Sequence, residues 1–245
     1  MAENEKAWWA KAILIGSVVG AVLLPLGALG SRFGFWPFTV GFLGLAGGAI
    51  LAMFGLVLGI VGLVVAYRRN LQHNNPPIYM GVAISVLILA VLGSLFSSAS
   101  SVPPIHNIST DVSDPPKFDK VIALRGENSN PLEFDAATIA PLQAEHYPWV
   151  KPLMSDQDAD QAYSGALAAV EGLGMEVVNA DSAGGLIEAT ATTFWFGFKD
   201  DVVVRVRASE RGSVIDVRSV SRVGLSDLGA NACRIGEILE AIGTG

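Results

Sequence analysis

The sequence predicts an α+β chain: an N-terminal three-helix transmembrane region, then a two-layer domain in which an antiparallel meander packs against two helices. Three observations carry this. The first hundred residues hold three long apolar runs with no Asp, Glu, Lys or Arg inside them. Three consecutive segments between Leu186 and Ser219 alternate apolar and polar residues with the period of a strand. Apolar residues at helical spacing flank those segments on both sides.

Of the 245 residues, 51% are hydrophobic and only 16% charged, and the mean hydropathy is +0.47. An ordinary soluble domain carries roughly a quarter charged residues, so a membrane part is implied. The net charge of −7 divides unevenly. Up to Ser100 five basic residues face two acidic ones, giving +3; from Ser101 onward 11 face 21, giving −10. A domain this acidic lacks the surplus of Lys and Arg that phosphate binding requires, which argues against nucleic acid as a partner. One cysteine, Cys233, excludes an internal disulfide and a multi-cysteine metal site.

The apolar runs cover residues 12–29, 38–67 and 78–96. A spanning helix needs ~20 such residues, and the second run has length to spare for tilt. Trp8 and Trp9, then Phe33, Phe35 and Trp36, then Tyr67 and Tyr79 stand at the ends, where aromatic rings meet headgroups. The length of the first run and its Pro25 argue against a cleaved signal peptide. Lys6 and Lys11 precede the first span and Arg68 and Arg69 follow the second, while the first connection has only Arg32. Positive residues stay in the cytoplasm. The chain is therefore expected as a multi-pass protein of the inner (plasma) membrane, with the N-terminus cytoplasmic and the C-terminal domain periplasmic or otherwise extracytoplasmic.

Small residues recur every three or four positions along the second span, at Gly44, Gly48, Ala52, Gly55, Gly59 and Gly62, and Gly16 with Gly20 offers a matching notch on the first. Such stripes let backbones approach closely. They predict packing within the three-helix bundle, with docking against another membrane protein as the alternative. The absence of ionisable side chains from the spans argues against a pump, transporter or channel. The expected organisation is residues 1–97 as the membrane region, 98–120 as a Ser/Pro-rich tether and 121–245 as the exported domain.

Pro103-Pro104 and Pro115-Pro116 favour extended backbone in the tether, and residues 105–110 between them alternate in a way that suits packing back on the domain. Residues 119–153 are rich in proline and are expected to hold little regular structure. Ala162, Tyr163, Ala166, Leu167, Val170 and Leu173 fall at helical spacing, stopped by Gly174. A strand over 175–179 and strands over 186–195, 202–207 and 213–219 follow. Their apolar positions are odd, even and odd in the last three. A hairpin at residues 209–212 pairs Ala208 with Ser213, so opposed residues have a constant odd sum, as that parity requires. A last helix is expected from Ser226 or Asp227, with Leu228, Ile235, Ile238, Leu239 and Ile242 as its apolar stripe and Ser226 as its cap.

Residues 218–235, RSVSRVGLSDLGANACRI, resemble the signature of the DUF1499 family, a bacterial and plastid group of unknown function. IEAT at 187–190, FKDDV at 198–202 and PPIHNIST at 103–110 are similar to that family too. The resemblance runs from Pro103 to the end, leaves out the three spans, and implies no reaction, cofactor or catalytic residue.

Within the signature, Arg218, Arg222, Asp227, Asn231 and Arg234 are expected to meet, since Asp227, Asn231 and Arg234 recur at four and three. The cluster is either a latch fixing the strand-to-helix turn or a notch in which arginines and a helix N-terminus hold an anion or a partner. His106 and His146 are the histidines of the exported part, and without spaced cysteines or carboxylates they do not make a metal site. Nucleophile-elbow, zincin and phosphate-loop patterns are missing, so no cofactor is expected. The reading that follows is a non-catalytic, membrane-anchored envelope protein. Its exported domain binds a membrane or periplasmic protein or an envelope component and assists a membrane assembly, with the lipid bilayer as the other partner. The alternative is an enzyme on a lipid or cell-envelope substrate, with His106 or His146 as general base.

Overall fold

A computed structural model of the chain describes residues 8–243, so Lys6 lies outside the described residues. Two compact units form: the residues up to Ala99 with the short stretch Phe194–Gly197, and Ser100–Thr193 with Phe198 onward.

The first unit is built on three helices, α1 (Trp8–Arg32), α2 (Phe38–Arg68) and α3 (Asn75–Ser100), and three helices of this region are long and apolar enough to cross a membrane. Their uncharged runs leave the backbone no partner but itself in hydrocarbon, and a helix satisfies it. α1 and α2 form an antiparallel hairpin whose backbones nearly touch. A Cβ on Gly27 would stand 2.7 Å from the Gly41 carbonyl oxygen, and one on Gly20 would stand 3.1 Å from that of Gly48. Trp36 folds back from the connection to donate its indole N–H to the Gly27 carbonyl at 3.0 Å. α3 meets the pair through Gly81, which lies against Ile13 and Leu14. The buried Ser17 and Ser85 hydroxyls hydrogen-bond at 3.0 Å beside Gly55.

The second unit is an antiparallel sheet of six strands: β1 (Asn107–Ser109), β2 (Leu153–Ser155), β3 (Glu176–Asp181), β4 (Leu186–Thr192), β5 (Lys199–Ser209) and β6 (Gly212–Ser221). The order is β1-β6-β5-β4-β3, with β2 also on β6, beside residues 213–215 where β1 lies beside 218–220. Ala208 faces Ser213, Val204 faces Val217 and Ile187 faces Val204, so the odd-sum parity holds through both hairpins. One sheet face carries Ile187, Ala189, Val202, Val204, Val206, Ile215 and Val217 into the main core. Helices α5 (Ala159–Gly172) and α6 (Ala230–Gly243) close it with Ala162, Ala166, Val170, Ile235 and Ile238. Asp158 caps α5 by accepting the Gln161 N–H at 2.9 Å, and Gly174 ends its connection at φ +73.

Two expectations are corrected. Residues 119–153 contain a 3-10 turn (Lys120–Leu124), helix α4 (Ala136–His146) and β2. α4 carries Pro141 in its interior, and its buried residue is Gln143, whose amide accepts from Ser109 N–H at 3.1 Å and donates to Ser109 O at 2.7 Å, completing β1 as a strand would. The last helix begins at Ala230, not at Ser226 or Asp227, because Leu228 and Gly229 take left-handed φ values of +55 and +84. Leu228 therefore leaves the apolar stripe and is exposed.

Candidate functional site

The alternation of β6 decides where the signature residues go. Ser219 and Ser221 share the face of Ile215 and Val217, toward α6, whereas Asp216, Arg218, Val220 and Arg222 look the other way. The sheet thus divides the five residues. Arg218 and Arg222 lie on one face, and Asp227, Asn231 and Arg234 meet on the other.

On the helix side, Asp227 accepts the backbone N–H groups of Gly229 at 2.8 Å and Asn231 at 2.9 Å, doing at α6 what a capping residue does. Burial pushes the Asp227 carboxyl above its ordinary value even though those two N–H groups pull it down. Asn231 is fully buried and fully used. Its amide donates to His106 O at 3.1 Å and Ser221 Oγ at 2.9 Å, and its oxygen accepts from Ser219 Oγ at 2.6 Å and Arg234 Nη1 at 2.7 Å. Arg234 then pairs with Asp200, Nη2 to Oδ2 at 2.7 Å.

The opposite face, which its charged alternation marks for solvent, is instead covered by residues 111–134. Phe118 and Val121 of this strap pack on Val203 and Val220, and the charges of β4, β5 and β6 are buried around them. Asp201, with no exposed side-chain surface, takes Arg222 on both carboxylate oxygens and Arg125 of the strap on Oδ2, while Thr190 donates to Oδ1 at 3.0 Å. Asp216 takes Arg205 at 3.0 Å and Arg207 at 2.7 Å, and Arg205 reaches on to Asp111 and Asp114 of the strap. Glu188 accepts the N–H groups of Asp119, Lys120 and Val121, satisfying the orphan donors that begin the 3-10 turn.

Arg218 is different, because its three bonds go to neutral oxygens: Asn107 Oδ1 at 3.0 Å, Pro116 O at 3.0 Å and Leu132 O. Its guanidinium also lies over Phe118 and Phe134, 5.3 and 5.6 Å from their ring centres. Burial, and then the charge of Arg125, lower its pKa from the ordinary guanidinium value to about 10. Aromatic faces and carbonyl dipoles hold this cation in place of a carboxylate.

Chemically, Asp200, Asp201 and Asp216 are neutralised by arginines, while Arg218, Glu188 and Asp227 are held by neutral hydrogen-bonding groups. His106 Nδ1 lies 3.4 Å from Leu225 O and exposed His146 Nδ1 lies 3.0 Å from Leu142 O, each on a backbone carbonyl in a separate part of the unit. Cys233 is exposed on α6. Among the described residues no group of three or more His, Cys, Asp or Glu could hold a metal ion. In the first unit, Gly20, Gly44 and Gly48 lie in the α1–α2 seam, Gly55 against Ser17 and Ser85, and Gly59 against Val82 of α3; Gly16 faces open space. Sequence reasoning did not single out Asp200, Asp201, Arg125, Glu188 and Asn107 as partners. The register held a signal for one of them. Asp201 faces Val220, so it shares a sheet face with Arg222, two residues on and just past the end of β6.

The fold and its polar networks define a protein with three membrane-competent helices ahead of an antiparallel α+β domain whose buried charges are ion-paired or hydrogen-bonded within the domain. The family model described as a protein of unknown function (DUF1499) matches residues 107–242, more than half of the chain, and the chain belongs to that family. The three helices lie outside the matched stretch. No curated protein matches the chain.

Proposed function

We propose that this chain is a membrane-anchored envelope protein whose C-terminal domain is a non-catalytic binding module, serving a membrane or periplasmic protein or an envelope component. The observation that carries the reading is the closure of the polar networks. Asp201, Asp216, Glu188, Asn231 and Arg218 spend their bonds on strands, strap and helix. A general base or nucleophile needs a partner that orients it and an open place for the reacting atom, and these groups are used in holding the fold. His106 and His146 each meet a main-chain carbonyl through Nδ1. Arg68 and Arg69 at the end of α2 support a cytoplasmic second connection and an extracytoplasmic C-terminal domain.

The test is to extract the full chain in mild detergent, purify it and measure its particle mass by light scattering. A stoichiometric partner from the same membrane, retained through purification, is expected. A chain that migrates alone and turns over an envelope lipid, with turnover lost in His106→Ala, overturns the reading in favour of an enzyme.

A further inference from the structure

The β4–β5 turn carries the run Phe194-Trp195-Phe196-Gly197, four residues that belong to the compact unit of the three apolar helices. Their anchorage is specific. Arg32, the last residue of α1, donates from Nη1 to Phe194 O at 2.7 Å, and its guanidinium lies 5.2 Å from the centre of the Phe194 ring. Ser31 Oγ donates to Phe196 O at 3.3 Å. The Phe196 ring packs on Phe42 of α2, with centroids 4.9 Å apart, over the bare backbone of Gly41, where a Cβ would come within 2.9 Å of it. Gly197, at φ +68, passes the Arg32 backbone closely.

This leaves two large rings outside. Phe194 is 65% exposed and Trp195 is 55% exposed, edge to face with each other at 5.2 Å. Residues 193–198 contain no charge, and exposed Phe33 and Phe35 stand in the turn just beyond Arg32. Apolar residues exposed singly are ordinary, but a cluster of aromatic rings fixed at the end of a membrane-competent helix has a defined solvent. An amphipathic indole and its aromatic neighbours partition to the boundary between headgroups and acyl chains, the depth at which a span ends.

We infer that Phe194 and Trp195 form a membrane contact of their own, inserted into the headgroup–acyl boundary of the leaflet in which α1 ends. The occupant of this surface is lipid. The turn then acts as a fourth membrane attachment, supplied by the sheet. The inference is independent of what the domain binds and rests on the three helices lying in a bilayer.

The test uses the full chain in liposomes of phosphatidylethanolamine and phosphatidylglycerol, in a Cys233→Ser background. An environment-sensitive fluorophore is placed by Trp195→Cys, with Phe194→Cys as a second variant should the first fail to assemble. Glu210→Cys, at the exposed β5–β6 turn, serves as reference, and Val57→Cys, on an exposed side of α2, reports whether the helices are in lipid. The expected result is emission from position 195 or 194 that is blue-shifted relative to 210 and quenched more by lipids with a nitroxide near the headgroup than by lipids with one deep in the chain. Emission like that of position 210 overturns the inference. So does a blue shift that lipid nitroxides leave unquenched, which means burial in protein. An unquenched label at position 57 instead refutes the bilayer placement of the helices, and with it the premise.

Discussion

Arg222 closes on Asp201, with Nη2 2.7 Å from Oδ1 and Nε 3.0 Å from Oδ2, and not on Asp227, its nearer neighbour in sequence. The pair bridges β6 and β5, and Arg125 of the strap completes it. The arginine of the signature thus fastens the strap to the sheet, while the aspartate five residues later caps a helix on the other face.

Arg218 provides a test of geometry apart from charge. Arg218→Lys keeps the cation but loses the planar fork that reaches Asn107, Pro116 and Leu132 and lies over Phe118 and Phe134. Unpaired buried acceptors cost about 1–3 kcal/mol. Thermal melts of the purified full chain should show that loss, and a melt unchanged from the parent would show that a point charge suffices.

Asp227 gives a pH signature. Burial raises its carboxyl above the unfolded value, so its ionised form is disfavoured in the native state. Its contribution is therefore greatest below the unfolded value of about 3.9 and is lost as the pH rises through the higher folded value. Relative to Asp227→Asn, which keeps an accepting oxygen without the charge, the parent should lose stability over that window. Parallel melting curves from pH 3.5 to 7 would contradict the buried charge.

Asp111 should behave in the opposite sense. Burial pushes its carboxyl up, but the Asp114 N–H, the Ser113 hydroxyl and N–H, and Arg205 outweigh it and hold it below the ordinary value. Its stabilisation is present above the unfolded value and is lost as the pH falls through the folded one. Asp111→Asn should cost about 0.5 kcal/mol at neutral pH, the scale of a partly screened pair, and should melt with the parent in strong acid.

The helix seam distinguishes two glycines. A Cβ on Gly27 collides with the Gly41 carbonyl, so Gly27→Ala should force α1 from α2 and cost on the order of 1–3 kcal/mol. Gly16 has open space around it, so Gly16→Ala should be neutral or gain about 0.5–1 kcal/mol from helix propensity. Thermal unfolding in detergent reads both, and equal losses would contradict the seam.

What the sequence revealed follows from its periodicities. The three membrane-competent helices are legible because each carries about 20 apolar residues without a charge, and the meander because a one-residue slip would turn Val202, Val204 and Val206 away from the core. The strap and the α4 that follows it escaped because Pro131 and Pro141 mask regular structure and because the strap's partners lie far along the chain: Arg125 meets Asp201, and Pro116 and Leu132 meet Arg218. Alternating charge on β5 and β6 reads as a solvent face, and only the tertiary cover of residues 111–134 makes it a buried network. The late start of α6 depends on two left-handed residues, Leu228 and Gly229, and leucine gives no local sign of that conformation.

The structural reading of the signature is tested most directly by two double-mutant cycles on the full chain, followed by thermal and denaturant unfolding. Arg222→Ala and Asp201→Ala touch one ion pair, so each should destabilise by about 2–4 kcal/mol and the pair together by clearly less than the sum. Arg222→Ala with Asp227→Ala, whose contacts go to Asp201 on one face of the sheet and to the start of α6 on the other, should add to within about 0.5 kcal/mol. Strong coupling between Arg222 and Asp227, or an Arg222→Ala chain that melts like the parent, would contradict the network and leave Arg222 available to a ligand.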